Sequence, residues 1–175
     1  TLDGCRNAAM IQCASSKGST YSGGIAAYLN QGKALNCGNS GNVSASSTSD
    51  NCYSQSGGIT GFINNSGEIT ACCNSGRIIS ASSYENSYSG GIAGYIDDSG
   101  EIAACYNSGS ISSFYNNMNA FYRYSISGGI AGYIENSGEI TACYNTGRIV
   151  ANVDGEYDYE YEYGIAYGFS SSIVT

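Results

Sequence analysis

Residues 128–150 read GGIAGYIENSGEITACYNTGRIV, and this stretch decides the fold. It contains three short segments rich in Ile and Tyr, in which apolar residues alternate with small or polar ones, and two polar turns at 134–138 and 145–147 separate them. Alternation over such short segments predicts β-strands and not helices. The turns contain Gly and Asn, which accept positive φ angles more readily than other residues. The stretch therefore predicts three strands joined by tight turns.

The first part of this stretch recurs along the chain. Its copies are SGGIAAY at 22–28, SGGITGF at 56–62, SGGIAGY at 89–95 and again at 127–133, and a degenerate YGIAY at 163–167. The second glycines of successive copies are 34, 33, 38 and 35 residues apart. Such a period indicates one supersecondary unit stacked on copies of itself. We therefore expect an all-β fold, a parallel β-solenoid (β-helix) with three short strands per coil and 33–38 residues per coil.

The repeats predict a single solenoid domain over residues 1–175. The expected full coils are 20–53, 54–86, 87–124 and 125–162, with partial coils at 1–19 and 163–175. Because the sequence starts and stops inside a repeat, we expect a piece of a longer protein. Length variation falls between the third strand and the next glycine pair, which predicts loops at 45–55, 80–88 and 112–126 along one edge of the rod.

Stacking the repeats in register aligns their apolar residues into columns. The first column contains Ile25, Ile59, Ile92, Ile130 and Ile165, the second Leu35, Ile69, Ile102 and Ile140, and the third Val43, Ile78, Ile111 and Ile149. A fourth, aromatic column contains Tyr28, Phe62, Tyr95 and Tyr133. Each Ile, once buried, contributes roughly 1.5–3 kcal/mol before entropy is counted. These columns are predicted to be structural first, with stacked rings in the fourth.

The cysteines align into a further column. Its expected members are Cys13, Cys37, Cys72, Cys105 and Cys143, whereas Cys5, Cys52 and Cys73 fall outside it. In-register strands hold neighbouring Cβ atoms about 4.8 Å apart, and a disulfide prefers about 3.5–4.5 Å, so we expect a ladder of free, packed thiols. Whether these thiols point inward depends on a bulge that the sequence leaves open. The chain has no C-x-x-C motif and no histidine, which argues against a zinc site.

Charge and composition narrow the classes of partner. The net charge of -8 argues against binding to nucleic acid and to anionic lipid, and the lack of long apolar runs argues against membrane insertion.

Acids alternate with Tyr near the end of the chain, at Asp154, Glu156, Asp158, Glu160 and Glu162. This stretch is either a Ca²⁺-binding or self-association edge or an exposed loop, and we expect no cofactor other than Ca²⁺ bound by these acids. We expect no enzyme, because the chain lacks a histidine for a triad and the acids at 97–98 lack a partner other than Glu135.

The repeat resembles a known family. The pattern S-G-G-I-x-G-Y-x-x-x-S-G-x-I-x-x-C-Y-N-[ST]-G-x-I, best seen at 87–111 and 125–150, is similar to the GLUG repeat of bacterial cell-surface proteins. These include the IgA-specific metallopeptidase family and filamentous-haemagglutinin-like adhesins. The resemblance implies a β-solenoid stalk or adhesive region of an exported protein, with no catalytic residues within the repeats. The His-Glu-x-x-His ligands of a metallopeptidase are absent here.

These observations lead to one principal functional hypothesis and two alternatives. We expect a non-enzymatic adhesin or stalk, extracellular or on the cell surface, which contacts a host or bacterial surface ligand, either protein or glycan. The first alternative is a structural module that assembles with itself end to end into a fibre. The second is a carbohydrate-binding module.

Overall fold

A computed structural model describes residues 1–115, 124–153 and 163–167. The described chain is all-β, and every strand pairs in parallel with strands of adjacent coils, which confirms the predicted β-solenoid. The described residues include no helix of the length and apolar character that crossing a membrane requires.

Each coil contributes one strand to each of five sheets. The first sheet contains β1 (Leu2–Asp3), β6 (Lys33–Leu35), β11 (Glu68–Thr70), β16 (Glu101–Ala103) and β21 (Glu139–Thr141). The second contains β2 (Arg6–Asn7), β7 (Gly38–Asn39), β12 (Cys73–Asn74), β17 (Tyr106–Asn107) and β22 (Tyr144–Asn145). The third contains β3 (Ile11–Ser15), β8 (Val43–Ser47), β13 (Ile78–Ser82), β18 (Ile111–Tyr115) and β23 (Ile149–Val153). The fourth contains β4 (Thr20–Gly23), β9 (Ser54–Gly57), β14 (Ser87–Gly90), β19 (Tyr124–Gly128) and β24 (Tyr163–Tyr167). The fifth contains β5 (Ala26–Asn30), β10 (Thr60–Asn64), β15 (Ala93–Ile96) and β20 (Ala131–Ile134).

The coil therefore has five strands where the sequence predicts three. One extra strand arises because EITACYN is split into β21 and β22 by Ala142, whose φ is +50°. Alanine rarely adopts this left-handed conformation, so the pattern gives no sign of the corner. The other extra strand is in the fourth sheet, formed by residues such as Ser87–Gly90 that precede and include the first glycine of the pair.

Much of the sequence expected as loops is consequently strand. The expected loops at 45–55 and 80–88 overlap the third and fourth sheets, which leaves shorter connections between Ser47 and Ser54 and between Ser82 and Ser87. Residues 116–123 of the third expected loop lie outside the described residues. The misreading has a physical reason: these strands are rich in Ser, whose polarity is typical of loops.

The core is thin and has an apolar part and a polar part. Buried Ile side chains of the first and fifth sheets, among them Ile63, Ile69 and Ile96, form the main apolar cluster together with Ile92 at the corner between the fourth and fifth sheets. Val43, Ile78 and Ile111 form a second cluster behind the third sheet. Between the third and fourth sheets the core is polar, and serine hydroxyls donate across it to backbone carbonyls, as from Ser56 to Ile79 at 2.8 Å and from Ser89 to Ser112 at 2.7 Å.

Two of the predicted apolar columns need correction at their ends. Ala34, and not Leu35, pairs with Ile69, because the first coil is one residue shorter at this point. Ile165 pairs with Ile126 and not with Ile130, so YGIAY continues the fourth sheet. The column of Ile25, Ile59, Ile92 and Ile130 keeps its members, and the last three are fully buried.

The cysteine column needs a correction of one member. Cys13 lies on β3 opposite Ala45, away from the other four thiols. Its place is taken by Cys5, which precedes Cys37 by one coil length and packs against the same cluster. The thiols point inward because the residue before each, such as Ala71 with φ +54°, is left-handed and breaks the strand alternation. All eight cysteines are free.

Asparagine side chains form a ladder along the second sheet. Its members are Asn7, Asn39, Asn74, Asn107 and Asn145. Each of the first four donates from Nδ2 to Oδ1 of the asparagine in the next coil, at 2.6–2.7 Å, and to the carbonyl two residues further along its own chain. The ladder thus satisfies buried polar atoms at the turn between the second and third sheets.

Candidate ligand-binding groove

An aromatic column runs along the outer face of the fifth sheet. Strand pairing places Tyr28, Phe62, Tyr95 and Tyr133 at equivalent positions of successive coils. Their ring centroids are 5.0, 5.3 and 5.4 Å apart, and the rings are tilted by 33–37°. The rings therefore pack on one another, and the two terminal ones are more than one-third exposed.

A second column, on the fourth sheet, alternates between aromatic and other side chains. Its members are Tyr21, Gln55, Tyr88 and Ile126. Tyr21 and Tyr88 meet the first column edge-on, at 76° to Tyr28 and 73° to Tyr95. Gln55 stands between these two tyrosines where a third ring would continue the column. The alternation leaves a recess beside the fifth sheet.

This recess is a groove of about 370 Å³. Six rings line it: Tyr21, Tyr53, Phe62, Tyr88, Tyr95 and Tyr133. The polar side chains that line it are Gln55, Asp97 and Glu135. Small-molecule sites have similar volumes, about 300–1,000 Å³.

Gln55 is the most deeply placed of the polar groups. Only 4% of the residue is exposed, and its Oε1 has no hydrogen-bond donor among the described residues. A buried acceptor that lacks a donor costs about 1–3 kcal/mol. Gln55 thus brings a buried, unpaired acceptor to the wall of the groove, and a ligand's donor would reach it only after the Gln55 side chain rotates towards the recess.

The two carboxylates are neighbours on consecutive coils. Asp97 and Glu135 follow the fifth sheet at equivalent positions, and their backbone N–H groups donate to the carbonyls of Ile63 and Ile96 at 2.9 and 2.8 Å. Tyr95 donates its hydroxyl to the carboxylate of Glu135. Asn136 donates from Nδ2 to Asp97 at 2.6 Å. Within the described residues, the donors that hold the two carboxylates are thus neutral and leave their charge uncompensated.

Two tyrosine hydroxyls of the groove, those of Tyr88 and Tyr95, are held in their neutral form. Burial raises the pKa of Tyr88 to about 12, although a hydrogen bond from Asn86 opposes the rise. The pKa of Tyr95 is also raised, first by burial and then by its hydrogen bond to Glu135. Both side chains remain protonated at neutral pH, so the charge of the groove comes from its carboxylates.

The cysteine ladder forms a structural hydrogen-bond chain beside the core. Backbone N–H groups of Cys37, Cys72 and Cys105 donate to the sulfur of the next cysteine at 3.2–3.4 Å. Each of the same three thiols donates to the carbonyl two residues earlier. No group of three or more potential His, Cys, Asp or Glu ligands with metal-binding geometry occurs within residues 1–115 and 124–152.

Sequence reasoning identified only part of the groove. The repeats predict the aromatic column and make Glu135 the candidate partner of Asp97, and the structure places these two residues at equivalent positions of consecutive coils. Sequence reasoning missed Gln55, although the alternation is visible in the residue that precedes each SGG motif. The Ca²⁺ candidates Asp154, Glu156, Asp158, Glu160 and Glu162 lie outside the described residues.

The fold of the chain is similar to that of a solved structure. The chain is similar to a crystal structure described as a "putative immunoglobulin A1 protease" from Bacteroides ovatus, with a TM-score of 0.52 and 20% identity. The match covers 95% of this chain and 60% of that one, so the chain spans less than two thirds of its neighbour. No protein-family model matches the sequence, and comparison with curated proteins gives no match. At this identity the likeness concerns the solenoid fold alone.

Proposed function

We propose that this chain is a non-enzymatic binding region of an exported bacterial surface protein, an adhesin or its stalk, and that the aromatic groove is its contact surface. The groove is the observation that carries the proposal. The apolar columns of the described coils fill the core, whereas here rings and polar side chains line a common recess. Tyr suits recognition because it offers contact area and a hydroxyl at low entropy cost.

The arrangement of the two carboxylates supports binding rather than glycoside hydrolysis. A glycosidase places two carboxyl groups on either side of the scissile bond, one of them as proton donor. Asp97 and Glu135 occupy equivalent positions on consecutive coils and so lie side by side. The chain also lacks histidine, the general base of Ser and Cys triads.

The proposed location outside the cell rests on composition and on the repeat. Charged residues make up only 11% of the chain, and 17 of its 175 residues are Tyr. Together with the GLUG-like pattern, this composition is typical of exported surface repeats. The name of the structural neighbour, an immunoglobulin protease, is compatible with a surface protein, but we transfer no protease activity from it.

The test is adhesion by the displayed chain. Bacteria that display residues 1–175 should be retained on mucin-coated or host-cell surfaces more than bacteria that display an unrelated solenoid. Tyr133→Ser, which removes an exposed ring from the groove, should lower retention, whereas Tyr144→Ser, at a similarly exposed ring of the second sheet, should not. Equal retention for the two variants, or no retention by the parent chain, would contradict the proposal.

Sedimentation of the purified chain separates this proposal from the fibre alternative. An adhesin or stalk should sediment as a monomer at all concentrations used. Open-ended polymer whose length grows with concentration would favour end-to-end assembly of coils.

A further inference from the structure

We infer that the groove binds an arginine side chain presented by an extended, basic peptide segment of a protein partner. This inference rests on the proposed function, since it names the ligand class of the same groove. It is carried by three features of the lining: uncompensated negative charge, aromatic rings, and a buried acceptor that lacks a donor.

The charge of the groove calls for a cationic ligand. The backbones of Asp97 and Glu135 lie one strand spacing apart, about 4.8 Å, so both negative charges belong to the same short stretch of the groove. Like charges on neighbouring strands repel, and they repel more strongly near a protein surface than in bulk water. No lysine or arginine of the described residues lines the groove. A bound cation would replace this repulsion with attraction.

The rings and Gln55 specify which cation fits. Arginine stacks on aromatic faces and offers five N–H donors, so one guanidinium can serve several acceptors at once. A neutral sugar would donate to Gln55 but would leave the two charges unpaired. A quaternary ammonium group would neutralise the two charges but has no N–H to donate to the buried oxygen of Gln55. The guanidinium alone among these meets all three features, and it also gains a favourable cation–π interaction with a ring.

The shape of the groove indicates an extended segment. Its lining runs from Tyr21 in one coil to Glu135 three coils later, a length of about 14 Å at the spacing of parallel strands. An extended peptide covers that length with about four residues. The volume of about 370 Å³ admits side chains and a short segment but not a folded domain.

The experiment compares three capped pentapeptides, Gly-Gly-X-Gly-Gly with X as arginine, lysine or citrulline, by calorimetric titration against the full chain. Citrulline keeps the shape of arginine and removes its charge. We expect the arginine peptide to bind at least tenfold more tightly than the citrulline peptide, with lysine between them. Raising the salt from about 0.02 to about 0.3 M should weaken arginine binding several-fold, because the carboxylates are partly exposed.

Variants with matched changes in charge test which residues bind the arginine peptide. Asp97→Asn with Glu135→Gln should weaken arginine binding at least tenfold, whereas Glu101→Gln with Glu139→Gln, which changes net charge equally on the first sheet, should have little effect. Gln55→Leu, which removes the buried acceptor and keeps the volume, should weaken binding by about five- to tenfold without lowering stability.

The failure of this inference differs from the failure of the proposed function. Equal affinity for arginine and citrulline, absence of arginine binding, or equal effects of the two double variants would overturn the arginine assignment. If neutral oligosaccharides bind instead and Tyr133→Ser abolishes that binding, the groove keeps its role and the ligand class is wrong. If Tyr133→Ser changes neither adhesion nor any binding, both proposals fall.

Discussion

Replacing Asn74 by alanine should be among the most destabilising polar substitutions in the described solenoid. The Asn74 side chain is buried and makes four hydrogen bonds. It donates to the carbonyl of Gly76 at 2.9 Å and to Asn107 at 2.7 Å, and it accepts from Asn39 at 2.7 Å and from the Gly76 N–H at 3.2 Å. The substitution removes all four bonds in the middle of the ladder.

The expected loss follows from the number of bonds and their burial. Each bond contributes about 1 kcal/mol net, and each buried group left unsatisfied adds its desolvation cost. Because Asn39 and Asn107 keep second partners, we expect the free energy of unfolding to fall by roughly 3–5 kcal/mol. Asn7→Ala is the matched control, since this residue ends the ladder in a partly exposed position: it loses three bonds, but water replaces the two exposed ones, so the loss should be only about 1–2 kcal/mol.

Urea unfolding followed by circular dichroism measures both variants. A third variant, Asn74→Asp, has no N–H donors and sets an acceptor against Asn107 and the Gly76 carbonyl, so it should lose at least as much as the alanine variant at neutral pH. Its native carboxyl pKa should be raised above the unfolded value of about 3.9, so its deficit should shrink as pH falls through that raised pKa and be smallest below about pH 4, where a proton restores one donor. Losses below about 1 kcal/mol for Asn74→Ala, or losses equal to those of Asn7→Ala, would refute the reasoning.

Three further predictions concern a glycine, a tyrosine and two cysteines. Gly57→Ala should lower the free energy of unfolding by at least about 3 kcal/mol or prevent folding, because its Cβ would lie 2.0 Å from a backbone carbonyl oxygen. Gly18→Ala is the control: the nearest atom to its Cβ would be 3.8 Å away, so this variant should be nearly neutral in the same urea assay. Tyr88 has a native pKa of about 12, whereas an ordinary tyrosine has a pKa of 10.0, so the hydroxyl keeps its proton to higher pH in the native state than in the unfolded state. The free energy of unfolding should therefore be unaffected below pH 10 and fall by up to about 2.7 kcal/mol as pH rises towards 12. Tyr88→Phe should remove this part of the pH dependence. Iodoacetamide should label the exposed Cys73 of the folded protein rapidly and the buried Cys72 only after unfolding, which peptide mass mapping would show; equal labelling would contradict the inward turn at Ala71.

The sequence predicts the aromatic column of the candidate groove, but it does not predict the recess. The aligned copies predict that Tyr95 and Tyr133 stack, because strands in parallel register bring equivalent residues together. They do not predict the recess at Gln55, which depends on how the fourth sheet meets the fifth at the glycine pair. At this corner the backbones approach so closely that Gly57 has no room for a Cβ.

The sequence by itself determined the solenoid, its period and its apolar columns, because a repeat of 33–38 residues with short alternating segments has few other ways to bury Ile. Only the tertiary structure decided the number of strands per coil, the inward direction of the thiols and the position of Cys5 in place of Cys13. The physical reason is that each of these depends on a backbone corner. A left-handed Ala such as Ala142, or a serine that donates across the core, leaves no mark in the hydrophobic pattern, yet it fixes which side of the chain faces inward.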